Sequence, residues 1–119
     1  HGPFDVAMAM HEDYDARGVY LYEIRSTPPF LGEQILSAAA KHIPLETRRV
    51  VEGSRCKNGL IRRKISPEMM PEHPEAFFLH FGHSRRTFTL ETPSEFSIHD
   101  RVEAQKAALN VLMKFMQRP

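Results

Sequence analysis

Two residues of this sequence, a histidine and a glutamate, stand where predicted strands end and could do hydrolytic chemistry there. His11 follows the apolar run 4–10, and Glu91 closes the alternating segment 86–91. In open α/β sheets, ligands bind beyond the carboxyl ends of the strands. An imidazole is a common zinc ligand, and a carboxylate beside an activated water can take its proton. Either residue alone is equally compatible with a structural role, as a solvated strand end or a helix cap.

The segments around these residues predict strands. The run 4–10 is apolar except for Asp5, as expected for a strand covered on both faces of a sheet. Residues 19–24 are β-branched and aromatic, and residues 86–91 alternate and are rich in strand-forming types. Val50-Val51 predicts a weaker strand.

Two further stretches predict helices, and one predicts a loop. Apolar residues recur with helical spacing over 30–43, and a second helix begins after Ser97, where Ser97 and Asp100 resemble a capping box. Residues 53–76 carry two glycines and three prolines and predict a long irregular loop. The alternation of strands and helices implies an α/β fold with a largely parallel sheet.

Composition and charge exclude several classes of protein. The 119 residues carry 16 lysines and arginines against 15 aspartates and glutamates, a net charge of +1, so we expect neither a nucleic-acid nor a membrane partner. No apolar run is long enough to span a bilayer. The single cysteine, Cys56, excludes an intrachain disulfide. No signal-peptide pattern is visible, and we expect a cytoplasmic protein.

Two motifs resemble those of a known enzyme family. Residues 9–14, Ala-Met-His-Glu-Asp-Tyr, with 18–23, Gly-Val-Tyr-Leu-Tyr-Glu, resemble the strand of carboxypeptidase A-type zinc metallocarboxypeptidases that carries the third zinc ligand. Residues 88–93, Phe-Thr-Leu-Glu-Thr-Pro, resemble the strand ending in the catalytic glutamate of that superfamily. The pair is most similar to bacterial members with His-Glu-Asp-aromatic and Thr-Leu-Glu-Thr-Pro motifs.

The resemblance implies a fold, a cofactor and two roles. The family has a three-layer α/β/α fold with a mostly parallel, mixed sheet, in which these two strands are neighbours. By that resemblance, His11 is a ligand of Zn²⁺ and Glu91 is the general base that activates the attacking water. The family's other two ligands come from an earlier His-x-x-Glu motif, which does not occur here.

The resemblance covers less than half of a complete catalytic domain. The chain also opens almost directly in an apolar run, so we expect residues 1–119 to be the C-terminal part of a single catalytic domain. We therefore expect these residues to be inactive alone and to need the N-terminal half of the domain, or a second copy, as a partner.

Four weaker candidates for substrate binding accompany the two main residues. Many carboxypeptidases place a tyrosine on the loop before the catalytic strand, and here His80 or His83 could take that role. Tyr14 and Tyr20, close to His11 in sequence, are the other candidates. The acidic residues beside His11 could orient ligands or form a solvated turn.

A discontinuous set of basic residues remains, spread over 48–49, 55–57, 62–64 and 85–86. No recognised nucleic-acid module and no interleaved aromatic residues accompany them. The set predicts a solvated loop or a rim for acidic peptide substrates.

Three functions stay open from the sequence. The first is hydrolysis of a peptide that releases its C-terminal residue. The second is deacylation of an N-acyl amino acid, as in the aspartoacylase branch. The third is a catalytically silent binding module of the same fold, and a His-x-x-Glu motif upstream of His1 would argue against it.

Overall fold

The computed structural model of the protein describes residues 4–25, 28–63 and 84–118. Within these ranges the chain forms six strands and two helices. In chain order they are β1 (Ala7–Asp13), β2 (Tyr20–Arg25), α1 (Gly32–Ala39), β3 (Val50–Val51), β4 (Ser54–Arg55), β5 (Leu60–Arg63), β6 (Arg86–Pro93) and α2 (Ile98–Met116).

Four strands form the central sheet, in the order β1-β6-β2-β5. The outer pairs β1–β6 and β2–β5 are parallel, whereas β2 and β6 are antiparallel. The predicted α/β fold with a mixed, mostly parallel sheet is confirmed. β3 and β4 form a separate two-stranded ribbon.

The two faces of the sheet are covered differently in the described part of the chain. Both helices pack on one face, where Leu21 of β2 and Phe88 of β6 join the helix residues Ile35 and Ala108 in the larger apolar core. The ribbon covers the opposite face through a smaller cluster of Ala16, Tyr20, Tyr22, Val51, Cys56 and Ile61. We call this second side of the sheet the ribbon face.

Both helices form where they are predicted, but α1 is shorter than expected, and Ile98, Val102, Leu109 and Met116 of α2, which we expect to face inward, are exposed. The apolar stripe predicted for residues 30–43 is buried, but α1 itself ends at Ala39 and continues as a turn to Pro44. The predicted cap of α2 is confirmed, because the Ser97 hydroxyl accepts a hydrogen bond of 3.1 Å from the Asp100 N–H.

No helix in residues 4–25, 28–63 and 84–118 is long and apolar enough to cross a membrane.

The prediction of an irregular loop over 53–76 is wrong for residues 54–63, which contain β4 and β5. Two tight turns explain the difference. Glu52-Gly53 and Asn58-Gly59 all have positive φ, between 50° and 82°. Consecutive positive φ angles are typical of the two-residue turns that join hairpin strands. Residues 64–79, which include the rest of that loop and the apolar segment after it, lie outside the described residues.

The strand that carries His11 begins and ends three residues later than predicted. β1 continues through Asp13, so His11 lies within the strand and not after it, because pairing with β6 continues as far as Pro93. The expectation that this strand is covered on both faces is not met in the described chain. Residues 7–10 are only half-buried, since β1 lies at the edge of the described sheet and has β6 as its one neighbour.

Candidate active site

The sheet register brings the two predicted site residues together. His11 of β1 lies opposite Glu91 of β6, and Tyr20 of β2 lies opposite Glu91 from the other side. Paired residues project to the same face, so all three side chains lie on the ribbon face. His11 Nδ1 is 3.3 Å from Glu91 Oε2. The predicted adjacency of the two strands is confirmed, while the chemical roles of both residues stay predictions.

Glu91 is a buried carboxylic acid in an acidic neighbourhood. The residue is 8% exposed. Burial raises its pKa, the nearby His11 imidazole lowers it, and the carboxylates of Glu52 and Asp13 raise it again, with a resulting pKa of about 7. A carboxyl group with that pKa can both accept and release a proton near neutral pH.

Tyr20 and Asp13 close one side of this site. The fully buried Tyr20 donates a 2.5 Å hydrogen bond from its hydroxyl to Asp13 Oδ2. Burial and the bond to Asp13 raise the pKa of Tyr20, so its hydroxyl stays protonated. Burial alone would raise the pKa of Asp13, but the hydrogen bonds from Tyr20 and the Asp15 N–H lower it. The substrate contact predicted for Tyr20 stays a prediction, and in this geometry its hydroxyl is bonded to Asp13.

The ribbon contributes a carboxylate that the sequence analysis missed. Glu52, at the turn between β3 and β4, accepts a 3.0 Å hydrogen bond from the Tyr22 hydroxyl. Its charge also contributes to the raised pKa of Glu91. The sequence does indicate a turn at Glu52-Gly53. The position of this turn over the sheet, however, depends on tertiary contacts that no local sequence pattern predicts.

Arg48 connects this site to the segment before the ribbon. Its Nε is 3.0 Å from Glu46 Oε1, and its Nη2 is 3.8 Å from Asp13 Oδ2. The guanidinium also helps to lower the pKa of Asp13. Arg48 thus balances part of the negative charge that collects around Glu91.

The remaining candidates are placed differently. Tyr14 is 87% exposed on the turn that follows β1, so its predicted role in substrate binding rests on exposure alone. Glu12 pairs with Arg101 of α2 and points away from Glu91. His80 and His83 lie outside the described residues.

The described residues do not provide enough ligands for a catalytic zinc site. Such sites have three protein ligands and an open position. In the part of the chain that the structure describes, no group of three His, Cys, Asp or Glu side chains could hold a metal ion. His11 supplies one imidazole beside one carboxylate, so the described residues do not form a metal site by themselves.

Comparison with known proteins identifies the fold. No protein-family model matches this sequence, and no curated protein matches it. The fold is similar to the crystal structure of a "putative metallopeptidase" from Shewanella amazonensis SB2B, with a TM-score of 0.77, 20% sequence identity, and coverage of 93% of this chain and 40% of that chain. A protein of the same description from Shewanella baltica OS155 gives a TM-score of 0.77 at 21% identity, covering 93% and 40%.

A third structure, of a protein so described from Shewanella denitrificans OS217, has a TM-score of 0.72 at 19% identity, covering 91% of this chain and 39% of that chain. The chain therefore has the same α/β fold as part of these proteins. It spans about 40% of their length.

Proposed function

We propose that this chain belongs to a metal-dependent peptide hydrolase, in which His11 is one metal ligand and Glu91 is the general base. The observation that carries the proposal is the 3.3 Å contact between His11 Nδ1 and the buried Glu91 carboxylate, two residues before the carboxyl ends of neighbouring parallel strands. The likeness in fold to proteins described as metallopeptidases supports the same class of reaction.

The finer proposal is a zinc carboxypeptidase that releases the C-terminal residue of a peptide. The two motifs around His11 and Glu91 support it through their resemblance to that superfamily. Bound zinc would supply a Lewis acid for the scissile carbonyl and for the attacking water.

Glu91 would move the proton in this reaction. Its carboxylate accepts a proton from the attacking water, holds it in a site from which bulk water is largely excluded, and passes it to the leaving amine. His11 keeps Nδ1 directed at the carboxylate, which fixes the distance between the ligand and the base.

The proposed enzyme needs further ligands from outside the described residues. We propose that they come from an N-terminal half of the same domain or from a second copy. An apolar stripe on α2 is consistent with such packing, because five large side chains are exposed there, namely Ile98, Val102, Leu109, Met113 and Met116.

A catalytically silent binding module is the second candidate. It is favoured by one observation, the lack of a three-ligand group among residues 4–25, 28–63 and 84–118. Such a module would keep the fold and the His11–Glu91 contact but would bind peptides without hydrolysing them.

Metal content and turnover of the intact protein test the proposal. We expect His11→Ala to lower the bound zinc measured by mass spectrometry. Glu91→Gln should keep the zinc and reduce kcat by about 10²–10⁴-fold, the usual contribution of a general base. His42→Ala, at an exposed position after α1, is the matched control and should change neither.

Blocked dipeptides and N-acyl amino acids as substrates separate carboxypeptidase from deacylase activity. Near-full activity of Glu91→Gln would overturn the assignment of the base. If the intact wild-type protein binds no zinc and hydrolyses neither class of substrate, the catalytically silent binding module becomes the favoured function.

A further inference from the structure

A basic groove lies beside the ribbon and is not used by the proposed mechanism. It has a volume of about 810 Å³ and is lined by residues 45–47, 49–50, 53 and 55–58. A second groove of about 630 Å³ shares Leu45, Arg55, Lys57 and Asn58 with the first. Arg55 and Lys57 therefore stand between two adjoining concave surfaces.

The first groove is lined by three cations and by Glu46, whose carboxylate is paired with Arg48. Arg49, Arg55 and Lys57 are exposed, and none of them has an ion-pair partner in the described part of the chain. The neighbouring Arg48 and Arg62 behave differently, since each pairs with a buried glutamate at 3.0 Å. The groove thus presents positive charge that the fold itself does not neutralise.

The groove is connected to the candidate active site by a short series of contacts. Glu46 lines the groove and pairs with Arg48, which in turn lies 3.8 Å from Asp13. Asp13 is two residues beyond His11 on the same strand and projects to the same face. The contacts of Glu46, Arg48 and Asp13 therefore link the groove to the face that carries His11 and Glu91.

We propose that the groove binds acidic side chains of a peptide through Arg49, Arg55 and Lys57. The inference deepens the proposed function by naming a substrate class, and it rests on that function only for turnover, not for binding. The guanidinium groups offer paired donors that match carboxylate geometry.

The lining favours a peptide over a nucleic acid. No aromatic side chain, on which bases would stack, lines either groove within the described residues. Leu45 and the 61% exposed Val50 add apolar surface for the aliphatic parts of a peptide.

Binding of a fluorescent hexaglutamate peptide to the intact protein tests the inference by fluorescence anisotropy. The measurement uses the Glu91→Gln variant, so that turnover cannot consume the peptide. We expect affinity that falls with added salt. The triple variant Arg49→Gln/Arg55→Gln/Lys57→Gln should bind about tenfold more weakly, since three exposed ion pairs would be lost.

A matched triple variant controls for net charge. Lys41→Gln/Lys114→Gln/Arg118→Gln removes the same charge from exposed positions at the ends of the helices and should bind like the parent. If the groove triple does not fold, the single Lys57→Glu variant at an exposed turn takes its place, with weakened binding again expected.

Three results would overturn the inference. They are equal weakening by both triple variants, no binding by the parent, and tighter binding of a single-stranded oligonucleotide of equal charge. Peptide binding by a wild-type protein without hydrolysis would instead remove the proposed function and leave this inference standing.

Discussion

Glu23 and Glu91 are both buried carboxylic acids of the central sheet, yet their surroundings differ in almost every respect. Glu23 lies on the helix face, opposite Phe88, and is 1% exposed. Its carboxylate accepts hydrogen bonds from the N–H groups of Leu31 and Gly32, at 2.8 and 3.2 Å, and pairs with Arg62 at 3.0 Å. The charge of Glu23 is therefore fully compensated, and it caps the start of α1.

Glu91 lies on the opposite face with much weaker compensation. Its favourable neighbour in the described chain is His11, while Glu52 and Asp13 are unfavourable ones. A third buried acid, Glu46, resembles Glu23 and not Glu91, because it accepts hydrogen bonds from the N–H groups of Arg17, Thr47 and Arg48. Burial alone does not mark a site; the functional candidate is the buried carboxylate whose charge is least compensated by its neighbours.

The largest effect that separates the two glutamates is on stability. Glu23→Gln should lower the free energy of unfolding by about 3 kcal/mol, because it leaves Arg62 without its counter-charge and points amide hydrogens at backbone donors. Glu91→Gln should instead raise it by up to about 2 kcal/mol at pH 7, because the amide removes a buried charge that is only weakly compensated. Urea denaturation of the intact protein measures both, and an equal loss in the two variants would contradict the comparison.

The pH dependence of stability sharpens the same comparison. The pKa of Glu91 is raised from 4.5 to about 7 in the folded chain, so between these values the folded state binds more protons than the unfolded state. Stability should therefore fall as the pH rises through this window, by on the order of 2 kcal/mol. The measurement is urea denaturation from pH 3 to 8 with a chelator present, and Glu91→Gln should abolish this fall.

Glu46 provides the opposite case and serves as the control. Burial alone would raise its pKa, but the backbone N–H donors and Arg48 lower it below 4.5. Its contribution to stability is present above pH 4.5 and is lost as the pH falls through the lowered folded value. Glu46→Gln should weaken this acid-side loss and leave the fall between pH 4.5 and 7 intact.

The smallest effect concerns the two tyrosines beside Glu91. Tyr20→Phe should cost about 1 kcal/mol, because it removes a hydrogen bond to the part-buried Asp13. Tyr22→Phe should cost less, since its acceptor Glu52 is exposed and can be hydrated. Thermal unfolding of the two variants compares them, and a larger loss for Tyr22→Phe would show that the ribbon contact matters more than the bond to Asp13.

The sequence predicts the parts of this comparison that are local. The strands of His11 and Glu91 are visible in their apolar and alternating patterns, and the buried stripe of α1 in its helical spacing. β5 was not predicted as a strand, because the basic residues Arg62 and Arg63 follow its two apolar residues. The Asn58-Gly59 turn before it is nevertheless typical of a hairpin. Its place at the sheet edge depends on pairing with β2.

Partners distant in the chain could not be predicted in the same way. Glu23 binds backbone N–H groups at the start of α1 and an arginine 39 residues away. Glu52 reaches Tyr22 across 30 residues. Such contacts decide whether the negative charge of a buried carboxylate is balanced. The sequence alone therefore identifies Glu91 as a candidate through its motif, but it does not predict the raised pKa of that residue.

The strand order also governs when the site can form. β6 lies between β1 and β2, although it is the last strand of the described chain. β1 and β2 follow one another closely in sequence but do not pair, so β6 must enter between them, with contacts spanning about 80 residues such as Thr92 to His11 at a separation of 81. Pairings that distant are slow to form. During synthesis from the N-terminus, the pairing of β1 with β6 therefore forms only after residues 86–93 have emerged, and the site assembles in the same step that completes the described sheet.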